Sequence, residues 1–294
     1  MLGKIEVMVI AGTEAYNLDF GGFGRVVGST VVETPFGKSA KVSLIDMNGI
    51  SAGVMSRHGE RGYSISAPFV NYHANIWAAK ELGAKRIISW NGAGAINRLL
   101  SVGDFVILDD LIDMTRKRDY TFYPDRGYGF IRQNPVFCSE VRSALYQAAS
   151  QFSPHVFRRG VYVCTEGPRL ETASEIRVFD TWGADVVGMT PVPEVYLAKE
   201  LEMCYASITY ISNYAEGLVK PQESKQEGVF GSLLPADEAA VLKESVQLLP
   251  KIVSTAISLL SEERDCPCVT AMKKYRDRGD IGDDWHTWVN TENS

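Results

Sequence analysis

Residues 164–190, CTEGPRLETASEIRVFDTWGADVVGMT, leave few architectures open. An apolar strand ends near Cys164, and Gly167-Pro168 turns the chain. Apolar spacing then predicts a helix over Glu171–Trp182 that closes at Gly183. Ala184–Gly188 reads as a short strand, and Met189-Thr190 stands at the head of a second helix, Pro191–Met203. Thr190 is placed as its N-cap and Pro191 just inside. Helices alternating with short apolar strands are the repeating unit of an α/β sheet with helices packed on it.

The alternation holds along most of the chain. Lys4–Ile10 is an apolar strand running into Ala11-Gly12-Thr13, a turn at which backbone N–H groups can meet an anion. A β meander follows over 28–57, with Asn48-Gly49 as a hairpin turn. Pro68–Leu82 has helical spacing and ends at Gly83. Lys85–Trp90 is a buried-type strand opening into Asn91-Gly92-Ala93-Gly94-Ala95, where glycines let a ligand approach the backbone. No Gly-Lys-Ser/Thr follows it, and GAGAIN lacks the third glycine of the dinucleotide fingerprint, so neither a P-loop nor a Rossmann cofactor is expected. Asp104–Leu108 is a strand, and 113–137 is an aromatic-rich loop read as a lid or an interface arm. Ser139–Gln151 is a helix and Gly160–Cys164 a strand. Cys204–Ile211 alternates as a strand and delivers Ser212-Asn213-Tyr214-Ala215 at its carboxyl end, where α/β sheets bind ligands. Residues 216–235 read as a flap, and Ala236–Glu262 as a helix interrupted at Pro250. No linker divides residues 1–262, which are read as one domain. Residues 263–294 form a charged extension, with Trp285 and Trp288 placed for docking on a neighbour.

Composition narrows the function. A net charge of −6 with no Lys/Arg stripe argues against nucleic acid as a partner. No apolar run is long enough to cross a membrane, and a cytoplasmic protein is expected. Five scattered cysteines do not make a secreted disulfide framework. Cys266-Pro-Cys268 reads as two surface thiols or a local redox or structural pair. With no further Cys or His near it in sequence, no metal site is expected.

Arg57-His58-Gly59 ends the last strand of the meander, and a guanidinium fork suits phosphate or carboxylate oxygens, with His58 as a second donor. Gly12-Thr13, Thr34-Pro35-Phe36-Gly37, Arg57-His58-Gly59, the run from Val70 to Trp77, Glu166-Gly167-Pro168-Arg169, Thr181-Trp182-Gly183-Ala184-Asp185, Met189-Thr190, Pro193-Glu194-Val195 and Ala198-Lys199-Glu200 occur in order. Over residues 5–260 this pattern resembles the trimeric purine nucleoside phosphorylase and methylthioadenosine phosphorylase family. The resemblance implies a single α/β domain around a mixed, distorted β-barrel or sheet surrounded by helices, a homotrimer or dimer of trimers, and sites near subunit boundaries. It implies phosphate contacts from Thr13, Arg57, His58, Asn91, Gly92 and Thr190. Met189 lies against the ribose, with Gly92, Ala93, Gly94, Leu170, Tyr214 and Ala215 around the nucleoside. An aromatic of the arm, here Phe130, reaches a neighbouring subunit's ribose.

The implied reaction is phosphorolysis of an N-glycosidic bond, with inorganic phosphate as co-substrate and nucleophile and no cofactor. Asn213, Glu171 and His58 are the candidate catalytic residues. Family members that take 6-aminopurines carry a carboxyl where this chain has Asn213. A carboxamide can accept from N7–H while donating to a 6-oxo group, and Glu171 can accept N1–H. Adenine has no N1–H and would leave that carboxylate unpaired, at about 1–3 kcal/mol. Inosine- and guanosine-type substrates are therefore expected. Methylthioinosine or methylthioadenosine is the alternative, and a non-catalytic purine binder or a nucleosidase stands behind it.

Overall fold

The computed structural model describes residues 4–12, 22–47, 49–60, 63–218 and 234–289. Thr13, Asn48 and most of the 216–235 flap lie outside them. The first strands are β1 (Val7–Ala11), β2 (Arg25–Thr30), the two-residue pair β3 (Glu33–Thr34) and β4 (Gly37–Lys38), β5 (Val42–Met47) and β6 (Ile50–Ser56). Then come α1 (Tyr72–Glu81), β7 (Arg86–Ala95), β8 (Phe105–Ile107) and β9 (Asp110–Met114). After the aromatic-rich loop the chain continues with α2 (Ser139–Phe152), β10 (Val156–Phe157), β11 (Val161–Thr165), α3 (Ala173–Thr181) and β12 (Val186–Gly188). It ends with α4 (Glu194–Glu200), β13 (Cys204–Tyr214), α5 (Ala236–Ser258) and α6 (Lys273–Asp277). Eleven strands form one mixed sheet in the order β10-β8-β13-β7-β1-β6-β5-β2, with β12, β11 and β9 branching from β7.

The branch is what makes a site. β7 pairs parallel with β13 along its whole length, from Arg86 to Ala95. On its other edge it pairs parallel with β1 only as far as Ser89, and antiparallel with β12 only at Gly94 and Ala95. Between those contacts the sheet forks, and the stretch from Trp90 to Ala93 faces the opening. Open α/β sheets bind ligands where neighbouring strands part in this way. Asn91–Ala95 is therefore strand rather than the loop its glycines indicate. The glycines serve close packing: a Cβ on Gly92 would stand 3.0 Å from the Tyr210 ring.

Alternating side chains of the central strands feed two cores. Met8 and Ile10 of β1 face the core that holds Ile76 and Trp77 of α1 and Leu197 of α4. Val7, Val9 and Ala11 face the core of α2 and α5. That is the period-two pattern of a strand buried on both faces. Pro250 lies inside a continuous α5.

Several expectations need correction. α3 begins two residues later than predicted, because Thr172 and Glu175 form a reciprocal capping box. α4 begins at Glu194 with Pro193 as its N-cap, so Thr190 caps no helix. Val192 and Pro193 instead form a turn that leads into α4, with the Val195 N–H donating to the Pro191 carbonyl at 3.2 Å. The aromatic-rich loop buries Phe122, Tyr123 and Phe137 and leaves Tyr120 and Phe130 exposed. The C-terminal segment docks on its own chain. Trp285 packs edge-on against Trp77 at 4.5 Å, and Met272, Tyr275 and Trp288 join the same core. Cys266 and Cys268 are buried, and Cys138 and Cys204 lie against them. Sequence separations of 62 residues or more concealed those neighbours.

Candidate active site

A cleft enclosing about 660 Å³, open mouth included, lies over the fork. Its floor is Asn91–Gly94 of β7. His58 and Thr190 line it, as do Glu171, Met189, Ser212, Asn213 and Ala215. Leu170, half exposed, stands at the mouth. The register of the sheet sets two ends. Ser56 of β6 pairs with Ala11, and Gly12 packs against Trp90 and Asn91, so His58 and Asn91 share one end. Asn213 pairs with Gly94, three residues further along β7. At ~3.3 Å per residue the floor separates the two ends by roughly 10 Å.

The first end is neutral at its surface. His58 is buried and its Nδ1 lies 2.8 Å from the Ile65 carbonyl. Burial pushes its pKa down to about 3, and the Arg57 charge adds to the shift. A neutral ring whose Nδ1–H donates to Ile65 presents Nε2 as an acceptor, where the sequence reading had a donor. Arg57 does not line the cleft. Its Nε and Nη2 form a bidentate pair with the Glu194 carboxylate, fully buried on both sides. Nη2 also donates to Ser89 Oγ at 2.8 Å. The Glu194 carboxylate, 137 residues away in sequence, satisfies the fork that the sequence assigned to phosphate. Asn91 likewise turns its side chain into β13, donating to Ser207 Oγ and accepting from Thr209 Oγ1. It offers the cleft backbone only. No lysine or arginine is among the described lining residues. An anion there would meet the Thr190 hydroxyl, backbone N–H groups and the Arg57 charge behind the wall.

The second end is polar and partly pre-engaged. Glu171 Oε1 accepts from Thr165 Oγ1 at 2.6 Å, which fixes the carboxylate and leaves Oε2 available. Asn213 Oδ1 accepts from Ser212 Oγ at 2.7 Å, and Nδ2 donates to the Tyr214 carbonyl at 2.9 Å. One lone pair and one N–H of the amide remain. Tyr214 does not line the cleft; the alternation of the strand turns it toward Ser101 and Val102. Phe130 is 77% exposed and stands clear of the cleft of its own chain. Thr13 lies outside the described residues.

Sequence reading missed Tyr63, Ala67, Val187, Gly188, Ser212 and Glu216 in the lining. It also missed Arg118, which has no motif around it. This buried guanidinium donates to the carbonyls of Thr165 (3.1 Å), Glu166 (2.8 Å), Met189 (2.7 Å) and Val192. It ties the turn before Glu171 to the segment carrying Met189 and Thr190. Arg118→Lys keeps the charge but cannot span four carbonyls. We expect it to lower stability by about 1–3 kcal/mol and to raise KM for the substrate, read by urea unfolding and steady-state kinetics. If neither moved, the carbonyls would be satisfied without it.

Comparison with known proteins follows the same lines. Residues 6–258 match the model of the phosphorylase superfamily. A probable S-methyl-5′-thioinosine phosphorylase of Methanothermobacter thermautotrophicus is 40% identical over 265 residues, 90% of this chain and 88% of that protein. A 6-oxopurine nucleoside phosphorylase of Pyrococcus furiosus is 39% identical over 249 residues, 82% of this chain and 89% of that one. Among solved structures, a methylthioadenosine phosphorylase from an antarctic soil metagenomic library superposes with a TM-score of 0.80 at 27% identity, covering 92% of each chain. The forked mixed sheet and the match over nearly the whole chain agree: this chain belongs to the phosphorylase superfamily.

Proposed function

We propose that the chain cleaves 6-oxopurine nucleosides with inorganic phosphate, releasing the free purine and ribose 1-phosphate. One observation carries the base assignment: a carboxylate, Glu171, and an amide, Asn213, line the same cleft, each with unused capacity toward it. A carboxylate accepts N1–H, and the amide accepts N7–H while donating to O6. Adenine offers no N1–H and an amino group in place of O6. At the other end phosphate sits near His58, Gly92 and Thr190. A phosphate oxygen bonds to C1′ as the C1′–N9 bond breaks; the bonding electrons pass into the purine, which takes a proton from solvent at N7, while the proton of monohydrogen phosphate is lost to solvent. Positioning and the electrostatics of the cleft supply the catalysis, with no protein nucleophile and no cofactor. His58 Nε2 accepts a hydrogen bond from the protonated oxygen of monohydrogen phosphate.

Methylthioinosine is the second reading, favoured by the 40% identical relative named for it. The two differ only at the 5′ substituent. Phe130, presented outward, suits a neighbouring subunit's 5′ side in a homotrimer or a dimer of trimers.

Purified protein is assayed with inosine, adenosine and methylthioinosine, with and without phosphate. We expect release of hypoxanthine from inosine or methylthioinosine at least ~10-fold faster than of adenine from adenosine, and only with phosphate. Faster adenosine cleavage would reverse the base assignment. Turnover without phosphate would make the protein a nucleosidase.

A further inference from the structure

The reaction above leaves unused a cluster at the amino end of β13, the end away from Asn213. Cys138 caps α2, Cys204 opens β13, and Cys266 and Cys268 flank Pro267 in a short 3₁₀ turn beyond α5. All four are buried, and their Sγ atoms all lie within 4.8 Å of one another. Cys204 Sγ and Cys266 Sγ lie 3.3 Å apart. A tetrahedron of thiolates around zinc, with Zn–S of ~2.3 Å, has S···S edges of about 3.8 Å. A disulfide needs ~2.05 Å. Four sulfurs drawn together around one centre fit a single shared ion better than two covalent pairs.

We infer that Cys138, Cys204, Cys266 and Cys268 bind one zinc ion as a structural site. Four protein ligands complete the tetrahedron and leave no open position for catalysis. All-sulfur tetrahedral sets select zinc or iron, and zinc is the ion for a site with no redox task. On binding, each thiol gives its proton to solvent, so the filled site carries a charge of −2. Two features offset it. Lys199, 6% exposed, interacts electrostatically with Cys268 and Cys138. The N-terminus of α2 begins at Ser139, next to Cys138.

The placement gives the ion a task. The turn at 266–268 directly follows a stretch of the C-terminal segment that is already hydrogen-bonded to the body of the protein. Nearby, Arg264 Nη1 donates to the Lys85 and Glu202 carbonyls, and Arg86 Nη2 donates to the Ser261 and Glu263 carbonyls. The zinc would lock that segment to the first residue of β13 and to the start of α2, joining three stretches far apart in sequence.

The test uses the full chain, purified without added metal or chelator. Metal is measured by plasma mass spectrometry, and thiols are counted after denaturation in chelator. About one zinc per chain with all five cysteines titrating is expected. Chelation of the native protein should lower Tm, and added zinc should restore it. Cobalt substitution should give the visible bands of tetrahedral thiolate coordination. Cys266→Ser/Cys268→Ser should lose the metal; because it may also fail to fold, the wild-type zinc content decides. Fewer than about a tenth of a zinc per chain would overturn the assignment, whether the thiols titrate free or are missing in pairs as disulfides. One equivalent of iron would overturn zinc as the ion.

Discussion

Replacing Glu194 with alanine is expected to destabilise the protein by about 3–5 kcal/mol, because it leaves the Arg57 guanidinium buried without its counter-charge. Both side chains are almost wholly excluded from water. Burial pulls the guanidinium toward neutrality, and the adjacent carboxylate more than offsets it and keeps the charge. Glu194 also accepts from Tyr205 Oη at 2.7 Å, so alanine would leave a second buried donor without its acceptor. In a protein of this size the loss corresponds to a Tm lower by roughly 6–20 °C, readable by calorimetry. Arg57→Met combined with Glu194→Leu should recover much of it, since neither charge then remains buried. A single alanine variant melting within about 2 °C of the parent would show that water reaches the pair. The fork is therefore assigned to the frame of the phosphate end, acting on the ligand by its field and through the strand ends it holds.

The second large effect is expected at Asn213. In Asn213→Asp the atom that donated to the Tyr214 carbonyl becomes an acceptor, and no donor remains for a 6-oxo group. We predict a fall in kcat/KM for inosine on the order of 100-fold, about 3 kcal/mol. The ratio of adenosine to inosine cleavage should rise in the same variant, because a carboxylate accepts from an exocyclic amine. The melting temperature controls for a folding defect. An unchanged ratio between the two nucleosides, whatever the absolute rates, would remove Asn213 from base recognition.

What the sequence disclosed follows from how far apart interacting residues lie. Glu171, Met189 and Thr190 were legible because a short run of chain carries them all past the cleft. Asn213 was legible because the end of an alternating strand is a place for ligands. The two-sided burial of β1 could be read from its unbroken apolar run. The buried partner of Arg57 was not legible, since an arginine in a sequence does not show whether its carboxylate waits 137 residues on. Arg118 was invisible because its partners are carbonyls, which every residue possesses. Cys266 and Cys268 were read as a pair on their own, apart from Cys138 and Cys204, because proximity along the chain was the only measure available. The glycines of β7 gave the right place and the wrong element: they signalled close approach, which here serves Tyr210 on one strand and a ligand on the open edge.

The fork in β7 also divides the molecule by how freely it can change. The floor from Asn91 to Gly94 is backbone, paired along one edge without interruption, and it cannot be remodelled without dismantling the centre of the sheet. The rim carries the side chains of His58, Tyr63, Leu170, Glu171, Ser212 and Asn213. Under the proposed function, substitutions there would alter which base or which sugar substituent is welcome while the proposed phosphate end stays put. One inherited floor with an exchangeable rim would let relatives named for different purines and different 5′ groups share a single sheet.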